Sequence, residues 1–522
     1  MEIKWKSIPE LAEIPTDAID YNSVDGQKAL QKIFIHNKYV EDILSPHRYY
    51  IVGDKGTGKT AYALYLQGCS NKERINLIKN MQDTTYGVFM QLKKNNFLSI
   101  SDYEDVWRVI LLLLICEEVR QREAAGILGL KLIQVNKAID AFYNNAFNPE
   151  IQYAINIVKE SKAVIKLFSK LDGEAAISSD VNQQKIQIDL MYLEKRFKEA
   201  LLETSLNSHY TLFIDGIDAR PSSVEFEDYM ECVKGLVNAV WTLNTSMFAN
   251  SDKLKIMLLI RPDIFDKVGM HNMNNKIKNN SVMLEWKTSY ADFSKSGLFK
   301  IADQLLRTQQ EHYEEINEGE AWNHYFPYKC YNYSTAALTD NSFINFLRYS
   351  FYRPRDIVAI MEAMRVNEPN TDAFDYKTFF SSKVKDATSD YLLGEIRDNL
   401  SFYYENNDFE LFRQFFESYL IKIISHERFS YWDYEQCYEE FISQFKPDKE
   451  IPYIFKDKDS FLQLLYEQNI IAWIDQINGS EYQKWYFKER TYTNIRPRIR
   501  TRCEKYKVHT GIARALGLQK NL

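Results

Sequence analysis

Glycine and proline are scarce in this chain, with 18 and 12 copies among 522 residues. That scarcity excludes collagen-like and linker-rich architectures and predicts long helices rather than flexible connectors. Cysteine is sparse too. Its six copies, Cys69, Cys116, Cys232, Cys330, Cys437 and Cys503, form no CxxC pair, which disfavours a zinc site or a disulfide framework and predicts a reduced, cytoplasmic setting. The longest apolar block, residues 109–116, falls far short of the ~20 residues a bilayer crossing needs, so no membrane span is expected. The opening MEIKWKSIPELAE has no apolar run behind its charges and does not read as a signal peptide. Low-complexity tracts and fixed-period repeats are missing as well.

What is abundant is aromatic: 35 Tyr and 31 Phe, within a composition that is 45% apolar and 26% charged, as in folded soluble proteins. At ~150 residues per domain, the length predicts roughly three domains. The net charge of −7 is unevenly spread. Residues 481–522 hold eleven Lys and Arg against three Glu, a surplus of eight positive charges that leaves −15 on residues 1–480.

Residues 49–52 form a short β-rich run, and Gly53, Asp54, Lys55, Gly56, Thr57, Gly58, Lys59 and Thr60 follow it directly, matching GxxxxGK[ST]. From Ala61 to residue 66 the chain reads as the start of a helix. Strand, glycine loop and helix in that order make a phosphate-binding loop: backbone N–H groups turn inward and the helix N-terminus favours negative charge. Lys59 is expected to reach the β- and γ-phosphates of ATP and the Thr60 hydroxyl to bind Mg²⁺, with residues 53–61 as the cofactor-binding set. A carboxylate on a neighbouring strand is the second requirement. TLFIDGID, residues 211–218, ends an apolar strand in Asp215, the candidate magnesium-associated acid. A further buried-type strand, residues 254–260 (LKIMLLI), is closed by Arg261, Pro262 and Asp263. Arg261 either points at a γ-phosphate or pairs with Asp263.

The order of phosphate loop, IDGID and LLIRPD resembles the additional-strand class of P-loop ATPases, which holds AAA+, KAP and STAND proteins. KAP-type ATPases place DDLDR after the same strand. Asp215 and Asp218 fall on that pattern and Arg220 follows, whereas Gly216 replaces the second Asp, the acid that polarises the attacking water. The resemblance implies that Asp218 substitutes or that hydrolysis is slow. The IDGID-x-RPSS stretch, leading into an acidic helix with Trp241, is also similar to a family of stand-alone bacterial ATPases. That likeness implies a place in systems that defend bacteria against phages.

Around this core, residues 27–43 read as helical. The resemblance places such a segment against adenine, where Tyr39 or Tyr50 would stack on the base, but a core role is the first expectation for either. Residues 86–92 and 281–286 read as strands, and residues 101–206 as a long helical insert. Residues 350–357 (SFYRPRDI) look like the lid element of AAA+ ATPases that delivers an arginine to the nucleotide. Arg353 is the candidate, Arg355 stands close behind, and a plain helix start is the alternative. Later, residues 461–467 read as a helix, 470–474 and 482–488 as two strands, and Asn478-Gly479 as their turn. Helix and hairpin followed by Arg490, Arg496, Arg498, Arg500, Arg502, Lys505 and Lys507 form a winged-helix pattern. Its basic face, residues 482–507, meets either DNA phosphates or acidic protein. His47, His209 and His509 have no partners at ligand spacing, and no Ser/His/Asp or Cys/His set assembles. Any effector chemistry is therefore expected on a separate protein, if the chain does not act through self-association.

The expected fold is an α/β P-loop NTPase core with a parallel sheet, helical insert and lid, plus a C-terminal α+β winged-helix-like domain. Its expected limits are 1–290 for the core, 291–372 for the lid and 373–522 for the rest. The expected function is an ATPase that uses ATP and Mg²⁺ to switch conformation, assembly or partner contact. An origin-recognition or loader-like DNA-binding ATPase and a non-hydrolysing scaffold are the alternatives.

Overall fold

In the computed structural model the described residues are 3–81, 102–123, 132–144, 179–220, 224–249, 251–269, 279–424, 427–445, 451–477 and 479–518. The expected strand at 86–92, the segment 221–223 and Asn478 lie outside them. Two compact units divide the chain: Lys38–Gly53 with Tyr62–Met283, and Met1–Asn37 with Asp54–Ala61 and Leu284–Leu522.

The first unit is built on five parallel strands: β1 (Tyr50–Val52), β2 (Arg74–Asn80), β3 (His209–Asp215), β4 (Leu254–Ile260) and β5 (Ser281–Met283). Their order is β2-β3-β4-β1-β5, so β1 lies between β4 and β5. All seven residues of β4 are buried, as a parallel strand covered on both faces requires. Covering helices include Asp102–Glu123, which packs on Phe226–Thr242 and Ser179–Glu203. The Trp107 indole N–H donates to the Cys232 carbonyl at 3.1 Å across the first of these contacts. This sheet with its helices fits an α/β P-loop core.

Because the strands are parallel, Val52, Asn80, Asp215 and Ile260 end along one sheet edge. Asn80 lies opposite Asp215 in register, and Val52 opposite Ile260. Open α/β sheets bind their ligands at this carboxyl edge.

The second unit holds two aromatic-rich cores. One lies among helices Gly297–Arg307, Glu320–Tyr325, Phe343–Arg348 and Pro354–Asn367, where Trp322 stacks on Phe326 at 4.2 Å. A hairpin of β6 (Lys329–Asn332) and β7 (Ala337–Asn341) extends from it. The other gathers Phe412, Phe415, Phe461 and Leu465. Its sheet has the order β10-β9-β11-β8, all pairs antiparallel, from β8 (Arg428–Phe429), β9 (Ile471–Ile477), β10 (Ser480–Lys484) and β11 (Tyr506–Val508). Helices Tyr431–Ser443 and Lys458–Glu467 contribute to the same core.

Several expectations need correction. The strand at 482–488 stops at Lys484, and Tyr486–Glu489 is a short helix. Trp485 and Tyr486 are both buried, and consecutive burial breaks the two-residue alternation of a half-exposed strand. The strand at 281–286 ends at Met283. Helix 27–43 is two helices, Val24–Ile33 and Lys38–Leu44. Tyr50, by contrast, takes the core role expected for it: it is fully buried, with its hydroxyl donating to the Val237 carbonyl at 3.0 Å.

Candidate nucleotide site

The loop leaving β1 takes the backbone shape its glycines allow. Gly56 and Gly58 have φ of +82° and +94°, the left-handed region in which a side chain is strained. A Cβ on Gly56 would also lie 3.1 Å from the Arg355 Cβ. Thr57 N–H and Oγ1–H both donate to the Asp54 carbonyl, at 3.2 and 2.7 Å, and the Lys59 ammonium donates to the same oxygen at 3.1 Å. Lys59 and Thr60 open the helix Lys59–Gly68. Lysine and hydroxyl thus stand on the first helical turn, after a loop bent by two left-handed glycines.

Within its own unit the loop is gripped on four sides. The Arg353 guanidinium donates to the Lys55 carbonyl at 3.0 Å, the Arg355 N–H to the Gly56 carbonyl at 3.3 Å, and the Trp286 indole to the Thr57 carbonyl at 3.0 Å. Arg490 pairs with Asp54 at 2.7 Å, and Lys55 with Glu395 at 3.4 Å and with Asp398. Arg353 precedes Pro354 with ψ of 145°, the extended geometry a following proline imposes, so it caps rather than enters the helix Pro354–Asn367. Burial opposes its charge, but the carboxylate of Asp356 and the neighbouring Tyr391 and Glu395 outweigh that and hold the guanidinium protonated above its usual range. Tyr352, just before it, is a non-glycine residue at φ +56°, a conformation that costs on the order of 1–3 kcal/mol unless its surroundings enforce it. Its ring packs on Phe487 and its hydroxyl accepts from Lys488 at 3.1 Å.

At the sheet edge of the other unit, Gly53 N–H donates to the Ile260 carbonyl at 3.2 Å, tying the start of the loop to the end of β4. Asp215 Oδ1 accepts from Gly216 N–H at 2.8 Å. Asp218 lies in the turn beyond, half-buried. Arg261 is buried and forms a two-pronged pair with Asp263, its Nε donating at 3.1 Å, which is the second of its two expected roles. Gly216 has φ of +82°, and a Cβ there would come within 1.9 Å of Asn80 Oδ1. A side chain on residue 216 would thus be strained by that φ and would displace the exposed Asn80 amide.

The residues fit a nucleotide with magnesium. The loop is turned by two left-handed glycines, and an ammonium and a hydroxyl share the first turn of the following helix. Among the described residues no three His, Cys, Asp or Glu side chains gather into a metal site. A magnesium ion held chiefly by phosphates and water needs no such cluster.

Sequence reasoning missed four participants: Trp286, Glu395, Asp398 and the pairing of Arg490 with Asp54. No local signal marks them, since each meets the loop from more than 200 residues away in sequence. The basic run after the hairpin is largely neutralised: Arg496 pairs with Glu467 at 2.6 Å, Arg500 with Asp475 at 3.5 Å and Lys505 with Glu481 at 2.6 Å. Arg496, Arg498 and Arg500 point outward while Ile495, Pro497 and Ile499 are buried.

Residues 25–228 match the ORC-CDC6-like family, a span that takes in the phosphate loop and strands β1 to β3. The match covers less than half of the chain and supports a P-loop ATPase of the AAA+ type. No match was found among curated proteins. Among the described residues no helix is long and apolar enough to cross a membrane.

Proposed function

We propose that the chain binds ATP with Mg²⁺ at residues 53–61, hydrolyses it slowly, and uses the bound state to change its conformation, self-association or contact with a separate effector. The observation that carries this reading is the grip on the phosphate loop by Arg353 and Arg490, residues that belong to the lid and C-terminal elements. Lys59 would hold the β- and γ-phosphates, and Thr60 and Asp215 the magnesium ion, which supplies charge neutralisation at the transferred phosphate. A ligand shifts a conformational equilibrium only by binding two states unequally. A loop whose carbonyls and carboxylate are already bonded to Arg353 and Arg490 is a place where phosphate contacts compete with or reinforce existing ones. Asp218, Arg261 and Arg353 are the further catalytic candidates, Arg261 only if its pair with Asp263 opens. The IDGID-x-RPSS resemblance supports an antiviral setting with STAND-like switching.

Equilibrium binding of ATP and phosphate release by the purified chain test the reading. Lys59→Ala is expected to weaken ATP binding about 10- to 100-fold, the worth of a charge-assisted hydrogen bond, and to abolish release. Unchanged affinity in that variant would refute the site.

A second reading is a DNA-binding ATPase of origin-recognition or loader type. It draws on the ORC-CDC6-like match and on the order β8, two helices, β9, β10, which is that of a winged helix. In it, Arg498 and Arg502 would meet phosphates, as both are exposed and have no carboxylate partner among the described residues.

A further inference from the structure

At the end of the strands opposite Asp215, one face of the parallel sheet carries two polar rows, all within the first unit. Arg74 lies opposite His209, and Asn76 opposite Thr211, which in turn lies opposite Lys255 on β4. Lys253, whose carbonyl accepts from Tyr210 N–H at 2.7 Å, stands two residues before Lys255. Alternation along each strand puts Arg74, His209 and Lys253 on the face that Asn76, Thr211 and Lys255 share. A covered parallel sheet calls for apolar side chains, yet Asn76, Thr211 and Lys255 are all buried. Arg74, Asn76, His209 and Lys253 line a cavity of about 420 Å³ with Leu44 and Leu66 as its apolar walls.

Charges and hydrogen bonds in this cavity are unbalanced. Neither Arg74 nor Lys253 has a carboxylate partner among the described residues, and the Lys253 ammonium donates to the Asn207 carbonyl at 3.3 Å. Glu73 also lines the cavity, but it is exposed and pairs with neither cation. His209 engages the Asp252 carbonyl through Nδ1 at 2.9 Å. One row inward, the Lys255 ammonium donates to the Ile43 and Ser45 carbonyls at 2.7 and 2.9 Å, so the C-terminal end of helix Lys38–Leu44 is capped and its repulsion of an anion is offset. Burial first, and the Arg74 charge second, push the Lys255 pKa down to about 7; the second cause reflects uncompensated positive charge. The Asn76 amide donates through Nδ2 to the Leu66 carbonyl at 2.8 Å, while its buried Oδ1 has no donor among the described residues. An acceptor left buried and unpaired is costly, and a donor on a ligand would satisfy it.

We propose that this cavity binds a small phosphomonoester, at a site separate from the phosphate loop. The phosphate dianion sits between the Arg74 guanidinium and the Lys253 ammonium, a planar fork and a point charge that suit its oxygens. A carboxylate would bring one negative charge to two unpaired cations, whereas a phosphate brings two. The body of the ligand lies against Leu44 and Leu66 and offers an O–H or N–H to Asn76 Oδ1, the pairing of apolar walls with a few placed polar groups that marks small-molecule sites. Arg74 and Asn80 stand at the two ends of β2, about 20 Å apart at ~3.3 Å per residue, so the cavity is no extension of a nucleotide site at the carboxyl edge.

Cys69 lines the cavity and is exposed, whereas the other five cysteines are buried, so its alkylation reports occupancy. The test measures the rate at which a maleimide labels Cys69 in the full-length chain with AMP, inorganic phosphate or adenosine present, together with AMP affinity by calorimetry. Wild type, Lys59→Ala, Arg74→Gln and Lys253→Gln are compared. AMP is expected to slow labelling equally in the wild type and in Lys59→Ala, inorganic phosphate to slow it less, and adenosine to leave it unchanged. Arg74→Gln and Lys253→Gln are each expected to weaken AMP binding about tenfold or more, the worth of a charge-assisted hydrogen bond. The wild-type comparison needs no substitution and decides the matter even if a variant unfolds. Labelling that AMP leaves unchanged would overturn the inference, as would equal protection by adenosine. Protection by inorganic phosphate equal to that by AMP would overturn the ester. AMP binding lost in Lys59→Ala and kept in Lys253→Gln would place the ligand at the phosphate loop and overturn this site while leaving the ATP reading intact.

Discussion

At residue 216 the backbone itself calls for glycine, with φ of +82°, where a side chain is strained. The sequence shows the glycine but not its neighbour, because residue 80 is 136 positions away and only the parallel register of β2 and β3 brings Asn80 opposite Asp215. Gly216→Ala is predicted to destabilise the chain by about 1–2 kcal/mol, from a left-handed φ and displacement of the Asn80 amide, read as a lowered thermal midpoint. The Arg490–Asp54 pair makes a second prediction at this scale. Arg490 is largely buried and Asp54 about one-third exposed, so solvent screening limits the pair. A double-mutant cycle of Arg490→Ala and Asp54→Asn is expected to return a coupling of about 1 kcal/mol in thermal or denaturant unfolding, and additive effects would deny the pair a role.

Among elements, the strand, glycine loop and helix were legible because their signals are local: left-handed positions demand glycine, and a buried parallel strand demands a continuous apolar run such as LKIMLLI. The hairpin's second strand is shorter than its β-forming composition, YQKWYFK, suggests, because the burial of both Trp485 and Tyr486 depends on the core beneath. The elements that grip the loop were legible only in part. Arg353 was marked by its place before Pro354, and Arg490 was counted merely as one of a basic run. One packing joint carries a pH dependence. His509 is fully buried; its Nδ1 accepts from Gly511 N–H at 3.2 Å, and its Nε2 lies 3.1 Å from the Ser350 carbonyl, which makes it the neutral Nε2–H tautomer. Burial first, and the charge of Lys507 second, push its pKa down to about 3. The folded state therefore refuses a proton that the unfolded chain takes up near pH 6.5. Stability from this group is fully present above about pH 6.5 and is lost progressively as pH falls toward 3. Urea unfolding of the wild type is predicted to weaken across that window more steeply than that of His509→Gln, and parallel curves would contradict the assignment.

For the whole molecule, the charge asymmetry read from the sequence stands, but most of the basic run carries carboxylate partners within its own unit. If DNA is nevertheless a ligand, two contacts from Arg498 and Arg502 predict a slope of log affinity against log salt of about −2 for that face. Replacing the two by Ala would then flatten the slope by that amount, whereas a slope unchanged by the substitutions would place any DNA contact elsewhere. The central claim is that the phosphate loop and the C-terminal elements respond together to ATP. Hydrogen exchange over residues 482–507, with and without ATP·Mg²⁺, in the wild type and in Lys59→Ala, tests it most directly. The account predicts that ATP alters protection there in the wild type and not in Lys59→Ala. ATP that binds the wild type and leaves the exchange of residues 482–507 unchanged would contradict it.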